Sequence, residues 1–498
     1  MFEFNGKAFG KNDIRGIYGE TVTPDLFYFT GKAYAKYVSQ RSGKELKDIW
    51  LTVSQDARLH SPELASALIK GINSVGANVV DLGLVPTPLG YFSEVAKIDL
   101  DISLKNFEIS GAMIVTASHN PPEYNGLKMT YNKASLSEKE IREVKIITEE
   151  ECLTKTKIRY KTGITKSYDI VPVYQETQLR SFANIGKGIK LVVDSANATG
   201  GVVAPQLYRD LGCEVIDIFT EPDGNFPNHH PNPSDEKTLD AIKAKVQETG
   251  ADFGIAFDGD ADRVGIVDDT GYNLPGDQLL LIFALDILAQ FKGRKEKPKF
   301  ISEVKCSQHL FDMINANGGD AIMWKTGHGY IKSKMKEENA IFAGEMSGHI
   351  FFRDKYYGFD DAVYAGCRFI ETVAKHKKNN PDFKVSEFIK SLPKVCTSKE
   401  VRYSCPNELK ETVLQDLTET FAENPDIFGS KIASTITIDG IRLVFEGGFA
   451  LIRQSNTEPV FTLRFEASDE ESLENYKNTM LKTLDISMDK FVKQKNPV

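Results

Sequence analysis

The chain has 498 residues, of which 41% are hydrophobic and 26% are charged, a composition typical of folded globular domains. This balance excludes a disordered or fibrous protein, and at roughly 100 to 200 residues per domain the length predicts three to four folded units. The formal net charge of -9 leaves no basic excess that would mark a protein binding nucleic acid or an anionic membrane. We therefore expect neither nucleic acid nor membrane among its partners.

Six cysteines are few for this length, and none forms a C-x-x-C pair. A disulfide framework or a structural zinc site is therefore not expected, and a reducing compartment fits best. The N-terminal segment lacks the basic stretch and apolar run of a signal peptide. The most apolar run, 279–288, is broken by Asp286 and is far shorter than the roughly 20 residues that span a bilayer. These features predict a soluble protein of the cytoplasm.

The first three quarters of the chain alternate short apolar runs with helical patterns. Strands are predicted at 50–53, 78–82, 190–194, 253–257 and 300–304. Between the first two, a helix is predicted with Ser61 as its N-cap, Pro62 as its first residue and Gly76 at its end. Strands separated by helices of this length indicate βαβ units, and hence α/β domains with parallel or mixed sheets and helices on both faces.

The last quarter predicts an α+β domain with an antiparallel sheet. Strands at 436–438 and 441–445 flank an Asp-Gly turn, which is typical of a β-hairpin. Strands at 449–452 and 460–466 follow, and an amphipathic helix runs from about Glu470 toward Phe491. Charged, turn-rich stretches elsewhere are interpreted as linkers or surface loops, at 152–166, 292–299 and 374–382.

Three aspartates, Asp258, Asp260 and Asp262, alternate directly after the predicted strand 253–257. Carboxylates held near 4 Å repel by roughly 4 kcal/mol per pair at an effective dielectric of 20, so such a cluster needs a cation. Three hard oxygen ligands suit Mg²⁺ or Ca²⁺, and the open positions suit a phosphate oxygen. An EF-hand is excluded because Arg263 stands where that loop requires glycine. The alternative is a solvated acidic turn.

A second polar segment, Ser118-His119-Asn120, ends another apolar run and precedes two prolines. Because prolines cannot continue a strand, the Ser118 hydroxyl is displayed on a stiff loop at a strand end, where open α/β sheets bind ligands. Alone, such a serine is usually a polar loop residue, and His119 and Lys128 are more often structural than catalytic. Together with a metal loop they become candidates for catalysis.

Further polar loops lie in the second half of the chain. Arg453 is followed by hydroxyl and amide side chains between two predicted strands, a pattern that suits an isolated phosphate and equally a simple turn. The loop 344–349 offers donors and acceptors to a hydroxyl-rich ligand, although this signal is weak by itself. The Gly-His-Gly stretch at 327–329 is a weaker signal still.

Together these segments resemble the active-site motifs of the α-D-phosphohexomutase family, most closely its bacterial phosphomannomutase/phosphoglucomutase members. The motifs are, in order, DIRG, TASHNP with NGLK, DGNFPNHHPNPS, DGDADR, GEMSGH and RQSNTEP, and they cover essentially the whole chain. The resemblance implies three tandem α/β mixed-sheet domains and a C-terminal α+β domain of the TATA-binding-protein-like type around one active-site cleft. The implied domains are 1–164, 165–272, 273–392 and 393–498.

The resemblance also implies a role for each matching residue. Ser118 would carry the phosphoryl group, and Mg²⁺ would be bound by a phosphoserine oxygen together with Asp258, Asp260 and Asp262. The residues implied near the transferring group are Arg15, His119, Lys128 and His328, with Lys128 and His328 as acid/base candidates, and Arg263 and Lys305 lining the region. Those implied to hold the sugar and its second phosphate are Glu345, Ser347 and His349, and Arg453, Ser455, Asn456 and Thr457.

The activity implied is the reversible conversion of hexose 6-phosphate to hexose 1-phosphate through a phosphoserine enzyme and a hexose 1,6-bisphosphate, which also serves as activator. Mannose phosphates, and glucose phosphates as well, are the expected substrates because of Met346 and His349 in the sugar loop. The alternatives are a phosphoglucosamine mutase and a non-catalytic sugar-phosphate-binding protein. Asn12 and Gly329 depart from the family pattern, in which an aromatic residue and a serine are common. A monomer or homodimer is expected.

Overall fold

The chain divides into two compact units, which are described separately. The computed structural model describes residues 4–100, 108–153, 161–455 and 458–495. Unit 1 comprises Met1–Leu279 and Ser347–Ser386, and unit 2 comprises Leu280–Met346 and Glu387–Val498. Both units combine helices with β-sheets, so the predicted α/β and α+β character is confirmed.

The first sheet of unit 1 is mixed. Its elements are β1 (Ile14–Ile17), α1 (Pro24–Ser42), β2 (Trp50–Gln55), α2 (Ser61–Ser74), β3 (Asn78–Leu84), α3 (Thr87–Phe92), β4 (Gly111–Val115), β5 (Tyr124–Tyr131), β6 (Ala134–Ser135), α4 (Glu138–Leu153) and β7 (Thr165–Ser167). The strand order is β1-β5-β4-β2-β3-β7, with β6 paired to β5. Strands β4, β2, β3 and β7 are parallel, whereas β5 is antiparallel to β1 and β4. The strands predicted at 50–53 and 78–82 are confirmed, each two residues longer.

The prediction of Ser61 as the N-cap of α2 is wrong. Ser61 is the first residue of the helix, the position predicted for Pro62, and His60 is its cap. The Ser61 hydroxyl donates to the Asp56 carboxylate at 2.5 Å, so a tertiary hydrogen bond takes the group that would have capped the helix. The predicted end is confirmed, because α2 ends at Ser74 and Gly76 adopts a φ of 95°, a conformation that suits glycine after a helix.

The second sheet of unit 1 is built around parallel strands. Its elements are α5 (Val171–Ser181), β8 (Lys190–Asp194), α6 (Ala204–Asp210), β9 (Glu214–Ile218), α7 (Asp240–Thr249), β10 (Phe253–Phe257) and β11 (Val264–Asp268). The order is β11-β10-β8-β9, in which β8 is parallel to β9 and β10, and β11 is antiparallel to β10. The strands predicted at 190–194 and 253–257 are confirmed at the same residues.

A parallel sheet opens unit 2. Its elements are α8 (Gly276–Ala289), β12 (Lys299–Glu303), α9 (Gln308–Ala316), β13 (Asp320–Trp324), α10 (His328–Glu338) and β14 (Phe342–Gly344). Strand β12 lies between β13 and β14 and is parallel to both, which confirms the strand predicted at 300–304 with a shift of one residue. The apolar run 279–288 lies within α8. In the described part of the chain, no helix combines the length and the hydropathy that crossing a membrane requires.

Unit 1 then resumes with β15 (Ile350–Phe352) and α11 (Ala362–Asn379). Helix α11 contradicts the interpretation of 374–382 as a linker or surface loop for most of this stretch, because the helix continues to Asn379. Asp361 caps its N-terminus by accepting from the Tyr364 N–H at 2.8 Å. The basic side chains near its end, including Lys377 and Lys378, lie where the helix dipole favours positive charge. The charged composition of this stretch therefore led to a wrong prediction.

An antiparallel sheet with helices closes unit 2. Its elements are α12 (Val385–Ser391), β16 (Cys396–Thr397), β17 (Val401–Ser404), α13 (Lys410–Glu423), β18 (Ser434–Ile436), β19 (Ile441–Phe445), β20 (Gly448–Gln454), β21 (Val460–Ala467) and α14 (Glu470–Lys495). The order is β16-β21-β20-β19-β18, with β17 also on β21. Side chains from α13, α14 and the sheet share one core, which includes Leu417, Phe465 and Met480. The predicted antiparallel α+β domain is confirmed.

The hairpin between β18 and β19 has a longer turn than predicted. Strand β18 ends at Ile436 and β19 begins at Ile441, so four residues, 437–440, connect the strands instead of Asp-Gly alone. Ile438 leaves the sheet to pack against the buried cluster of Val304, Phe449 and Leu451. The Asp439 carboxylate accepts from two groups outside the hairpin, and these contacts hold the turn away from the two-residue geometry.

Candidate active site

The two halves of the predicted phosphoryl-transfer site both follow strands of unit 1. Ser118 lies just beyond β4, and the three aspartates lie between β10 and β11. The Ser118 hydroxyl donates to an oxygen of Asp258 at 2.6 Å, although 140 residues separate the two in the chain. The structure therefore brings the predicted phosphoryl-carrying serine directly against the predicted metal loop.

The Ser118 loop is a tight turn with a strained backbone. Ser118 adopts a φ of 50°, the left-handed region that non-glycine residues rarely occupy. Its N–H donates to the Thr116 hydroxyl at 2.9 Å. A side chain at Gly259 would place its Cβ 2.4 Å from the Ser118 carbonyl oxygen, so only glycine permits this approach of the two loops. The glycine between the first two aspartates therefore serves the contact with Ser118.

The three aspartates form a compact, buried acidic cluster. Asp258, Asp260 and Asp262 are each at most 1% exposed, and they present oxygen atoms within 4.8 Å of one another. Burial raises the pKa of Asp258 well above its ordinary value, and the carboxylates of Asp260 and Asp262 raise it further. One oxygen of Asp260 is buried with no hydrogen-bond donor among the described residues. Hard oxygen ligands with excess negative charge fit a divalent cation such as Mg²⁺.

Lys128 supplies positive charge to this cluster. It lies on β5, and its ammonium donates to Asp260 at 2.7 Å and also to Asp262. Burial lowers the pKa of Lys128, but the two carboxylates outweigh that effect and hold the pKa well above its ordinary value. Lys128 is therefore charged at neutral pH and offsets part of the repulsion between the aspartates.

Thr87 also holds the metal loop, and the sequence reasoning missed it. Its hydroxyl donates to the Asp260 carboxylate at 2.7 Å, and its N–H donates to the Asp260 carbonyl at 2.9 Å. Thr87 begins α3, just after β3. Because β3 and β4 run parallel, their carboxyl ends share one edge of the sheet. A hydroxyl in the Pro-Thr-Pro stretch at that edge was the available signal.

Three predicted basic residues contact the Ser118 hydroxyl, its loop or its partner Asp258. A ring nitrogen of His119 lies 3.2 Å from it, and burial, followed by the charges of Arg263 and Arg15, lowers the pKa of His119 well below its ordinary value. His119 is therefore neutral at neutral pH. Arg15, on β1, donates to the side-chain oxygen of Asn120 in the same loop at 2.7 Å. Arg263 lies 3.9 Å from Asp258.

Two residues of the predicted sugar loop join the metal loop within unit 1. The Ser347 hydroxyl lies 3.1 Å from one ring nitrogen of His349. The other ring nitrogen of His349 lies 3.3 Å from Asp262 and accepts from Arg263 at 3.2 Å. Ser234, from the DGNFPNHHPNPS motif, donates to the Ser347 carbonyl at 3.1 Å. The structure thus connects Ser347 and His349 to the aspartates.

The remaining predicted groups of the sugar region lie together in unit 2. Glu345 accepts from the Gly327 N–H at 2.5 Å, which ties the GEMSGH loop to the Gly-His-Gly stretch. His328 begins α10 directly after Gly327. Lys305 lies beyond β12, where its ammonium is 3.6 Å from Glu303. Lys305, His328 and Glu345 therefore all follow strands of the parallel sheet in this unit.

The predicted phosphate loop of unit 2 is tied to the same region by Asp439. Arg453, near the end of β20, donates to the Asp439 carboxylate at 3.1 Å. The same carboxylate accepts from the Thr326 N–H at 3.1 Å. The sequence predicted Asp439 only as a turn residue. Its contacts with Arg453 and with the loop before His328 arise from the tertiary structure.

Lys410 binds the backbone of the predicted phosphate loop and was not predicted. Its ammonium is buried and donates to the carbonyls of Ser455 at 3.0 Å and Glu458 at 2.6 Å. These two residues flank Asn456 and Thr457, which lie outside the described residues. Lys410 begins α13, far from any polar motif in the chain, so no local pattern marked it.

Comparison with protein-family models covers most of the chain in four segments. They match phosphoglucomutase/phosphomannomutase alpha/beta/alpha domains I, II and III and the C-terminal domain at residues 6–154, 173–271, 275–395 and 400–483. The exact domain boundaries given above stay predictions.

Known relatives match over nearly their whole length. The chain is 36% identical to a phosphomannomutase/phosphoglucomutase of Pseudomonas aeruginosa and 37% identical to a phosphoglucomutase of Neisseria gonorrhoeae, covering 96% of each chain in both cases. A crystal structure of a phosphoglucomutase/phosphomannomutase family protein from Burkholderia thailandensis has a TM-score of 0.86 and 34% identity, covering 97% of this chain and 98% of that chain. The chain therefore belongs to the phosphoglucomutase/phosphomannomutase family of α-D-phosphohexomutases.

Proposed function

We propose that the protein is a phosphohexomutase that interconverts the 6-phosphates and 1-phosphates of mannose and of glucose. The observation that carries this proposal is the Ser118 hydroxyl 2.6 Å from Asp258, within a buried cluster of three carboxylates. The names of the relatives from Pseudomonas and Neisseria support mannose and glucose phosphates as substrates. Met346 in the sugar loop supports them over glucosamine phosphates.

In the proposed reaction, phosphorylated Ser118 first donates its phosphoryl group to the free hydroxyl of the substrate. The bond from phosphorus to the Ser118 oxygen breaks as the bond to O1 of hexose 6-phosphate forms, and the hydroxyl proton passes to a base. The hexose 1,6-bisphosphate then turns over and its 6-phosphoryl group returns to Ser118. The released product is hexose 1-phosphate, so the phosphoserine is regenerated and the bisphosphate can also phosphorylate resting enzyme.

The groups around Ser118 suit phosphoryl transfer, which depends on positioning and charge neutralisation. Asp258, Asp260 and Asp262 would hold Mg²⁺, together with a phosphoserine oxygen. When bound, the ion supplies positive charge that stabilises the oxygens of the transferring group. Arg15 and Arg263 contribute further positive charge, and neutral His119 contributes a hydrogen-bonding group beside the hydroxyl.

The other predicted residues take roles in substrate binding and proton transfer. We assign the sugar hydroxyls to Glu345 and Ser347, with His349 beside them, and the phosphate that is not transferred to Arg453, Ser455, Asn456 and Thr457. Lys128 and His328 are the acid/base candidates, and Lys305 lines the region. The contact of Glu345 with Gly327 supports a common role for its loop and that of His328.

The direct test is a substrate panel with purified protein, Mg²⁺ and a trace of hexose 1,6-bisphosphate. We expect interconversion of mannose and glucose phosphates, and a fraction of the protein heavier by one phosphate. Ser118→Ala should lose both the activity and the added mass. Ser93→Ala is a matched control, because Ser93 is equally buried and its hydroxyl bonds with the Gly90 carbonyl and the Thr52 hydroxyl, neither of which belongs to the metal loop.

The alternatives give different results in the same panel. Faster turnover of glucosamine phosphates than of mannose and glucose phosphates would indicate a phosphoglucosamine mutase. Binding of sugar phosphates without turnover, and with no phosphorylated protein, would indicate a binding protein on the same fold. Cytoplasmic location and a monomeric or homodimeric state belong to this proposal, and cell fractionation and sedimentation test them.

A further inference from the structure

We propose that Arg58 is a positioning residue for phosphoryl transfer, because its buried guanidinium holds the Ser118 loop in its reactive conformation. Arg58 lies in the turn between β2 and α2 and is 1% exposed. This inference rests on the proposed function, since it assumes that Ser118 carries the phosphoryl group. It adds a residue that none of the sequence motifs above contains.

The guanidinium donates to four carbonyl oxygens of the loop around Ser118. One terminal nitrogen donates to Ser118 at 2.8 Å and to Asn120 at 2.6 Å. The other donates to Pro121 at 2.6 Å and to Tyr124 at 3.0 Å. A single planar group thus binds the loop at both ends, which fixes its path from the serine to the start of β5.

This loop needs such a partner because it satisfies its own backbone only in part, through bonds such as that from the Tyr124 N–H to the Pro121 carbonyl at 3.0 Å. Ser118 is held in the left-handed region at a φ of 50°, and Pro121 and Pro122 have no N–H groups to donate. Carbonyls turned toward the interior therefore require donors from elsewhere, since a buried acceptor without one is destabilising. Arg58 supplies those donors, so loss of its side chain frees the serine to leave the metal loop.

Asp56 holds Arg58 in place and extends the same support. One carboxylate oxygen accepts from the Arg58 side chain at 3.1 Å and from the Ala117 N–H at 3.3 Å. The other accepts from the Arg58 N–H at 3.1 Å and from the Ser61 hydroxyl at 2.5 Å. The carboxylate also balances the guanidinium charge, which is necessary for a group this deeply buried.

The DGNFPNHHPNPS motif covers the guanidinium. The Phe226 ring lies over it, 5.5 Å from the central carbon, and Phe226 itself adopts a φ of 48°. A Cβ at Gly224 would lie 2.5 Å from the Leu59 nitrogen and 2.6 Å from the Ala57 oxygen, so glycine is needed for this close packing. The start of the motif therefore shields the Arg58 contacts from water, which strengthens them.

Lysine cannot replace arginine in this role. The guanidinium presents five N–H groups in a fixed fork, whereas an ammonium places three donors at one point. Four carbonyls approached from two nitrogens therefore require arginine. For this reason the conservative variant Arg58→Lys is informative, since it keeps the charge and changes only the geometry.

The test measures turnover and the Michaelis constant for wild type, Arg58→Lys and Arg58→Ala on the substrates of the panel. Because the sugar phosphate is bound by other residues, both variants should lose about 100-fold in kcat, the loss expected when a reacting group is misplaced by about 1 Å. KM should change by less than about threefold, since substrate binding is not removed. Phosphorylation of Ser118 by hexose 1,6-bisphosphate should slow to a similar extent.

A chemical rescue separates this role from a purely structural one. Guanidinium chloride, at concentrations too low to denature, should restore kcat of Arg58→Ala by about tenfold or more, whereas methylammonium should not. Arg368→Ala is the matched control. Arg368 is also 1% exposed, is paired with Asp354 at 2.8 Å and covers the Phe352 ring, partners that all lie outside the Ser118 loop. It should lower the melting temperature, keep kcat and show no rescue.

Each outcome has a distinct meaning. Retention of kcat by Arg58→Ala in an active wild-type background would overturn this inference and leave the proposed function intact. A rise in KM with unchanged kcat would also overturn the inference. So would an equal loss of kcat in Arg58→Lys and in the control Arg368→Ala. A wild-type protein that converts no hexose phosphate would overturn the proposed function, and the role of Arg58 with it.

Discussion

Removing one carboxylate charge from the metal loop should stabilise the metal-free protein and abolish its response to Mg²⁺. The aspartate oxygens lie within 4.8 Å of one another, where each pair of charges repels by about 3.5 kcal/mol at an effective dielectric of 20. Asp258 takes part in two such pairs, or about 7 kcal/mol. Its attraction to Arg263, 3.9 Å away, offsets about 4 kcal/mol on the same scale. Asp258→Asn should therefore remove a net repulsion of about 3 kcal/mol.

The gain should depend on pH. Burial, and then the neighbouring carboxylates, raise the pKa of Asp258 well above its ordinary value, so the folded protein holds this proton more tightly than the unfolded chain. At low pH the residue is protonated in both states and the repulsion is absent. The destabilisation grows as the pH rises toward the raised pKa, so the advantage of Asp258→Asn should be largest in alkaline buffer.

The assay is the melting temperature in EDTA and in Mg²⁺. Wild type should melt higher in Mg²⁺, because a ligand that binds only the folded state stabilises it. Asp258→Asn should melt several degrees above wild type in EDTA and gain little from Mg²⁺. Asp268→Asn is the control and should melt below wild type in EDTA. The buried Asp268 carboxylate accepts from Thr270 and Tyr272 and suffers no comparable repulsion. An Asp258→Asn protein that melts below wild type in EDTA and still responds to Mg²⁺ would refute the reasoning.

Two more predictions concern hydrogen bonds that the structure reveals, and a third concerns a buried carboxylate. Thr87→Val removes a donor from a buried carboxylate, so turnover should fall about tenfold and half-activation should need more Mg²⁺; unchanged Mg²⁺ dependence would contradict this. Lys410→Met should raise KM about tenfold and leave kcat within about threefold, because the loop at Ser455 loses its support while the chemistry is elsewhere; steady-state kinetics decide it. Burial raises the pKa of Asp361 to about 6. Wild-type stability should therefore fall by about 2 kcal/mol between pH 4 and pH 6 relative to Asp361→Asn, and parallel melting profiles would contradict this.

Much of the fold follows from local patterns. The strands β8 and β10 coincide with their predicted ranges because continuous apolar runs bounded by turns have few other interpretations. The errors occur where a tertiary contact competes with a local one. Ser61 gives its hydroxyl to Asp56 rather than to its own helix. Asp439 gives its carboxylate to Arg453 and the Thr326 N–H, so the hairpin turn lengthens.

The candidate site was predictable in its polar motifs and unpredictable in its supports. Ser118 and the aspartates stand directly after strands, where their residue types already indicate chemistry. Arg58 and Lys410 carry no such mark, because an arginine in a turn or a lysine at a helix start is usually a solvated side chain, and Thr87 is marked only by the Pro-Thr-Pro stretch around it. Their importance comes from carboxylate and carbonyl groups that reach them from distant parts of the chain.

The amino-acid sequence by itself determined which chemical groups stand on loops, because the alternation of apolar and polar residues dictates where each strand ends. Tertiary structure alone decided which of those loops meet. Ser118 touches Asp258 across 140 residues, and Arg58 binds the Ser118 carbonyl across 60, because packed sheets bring their loops together. No spacing along the chain encodes that approach, since it depends on how whole layers of side chains fill the interior.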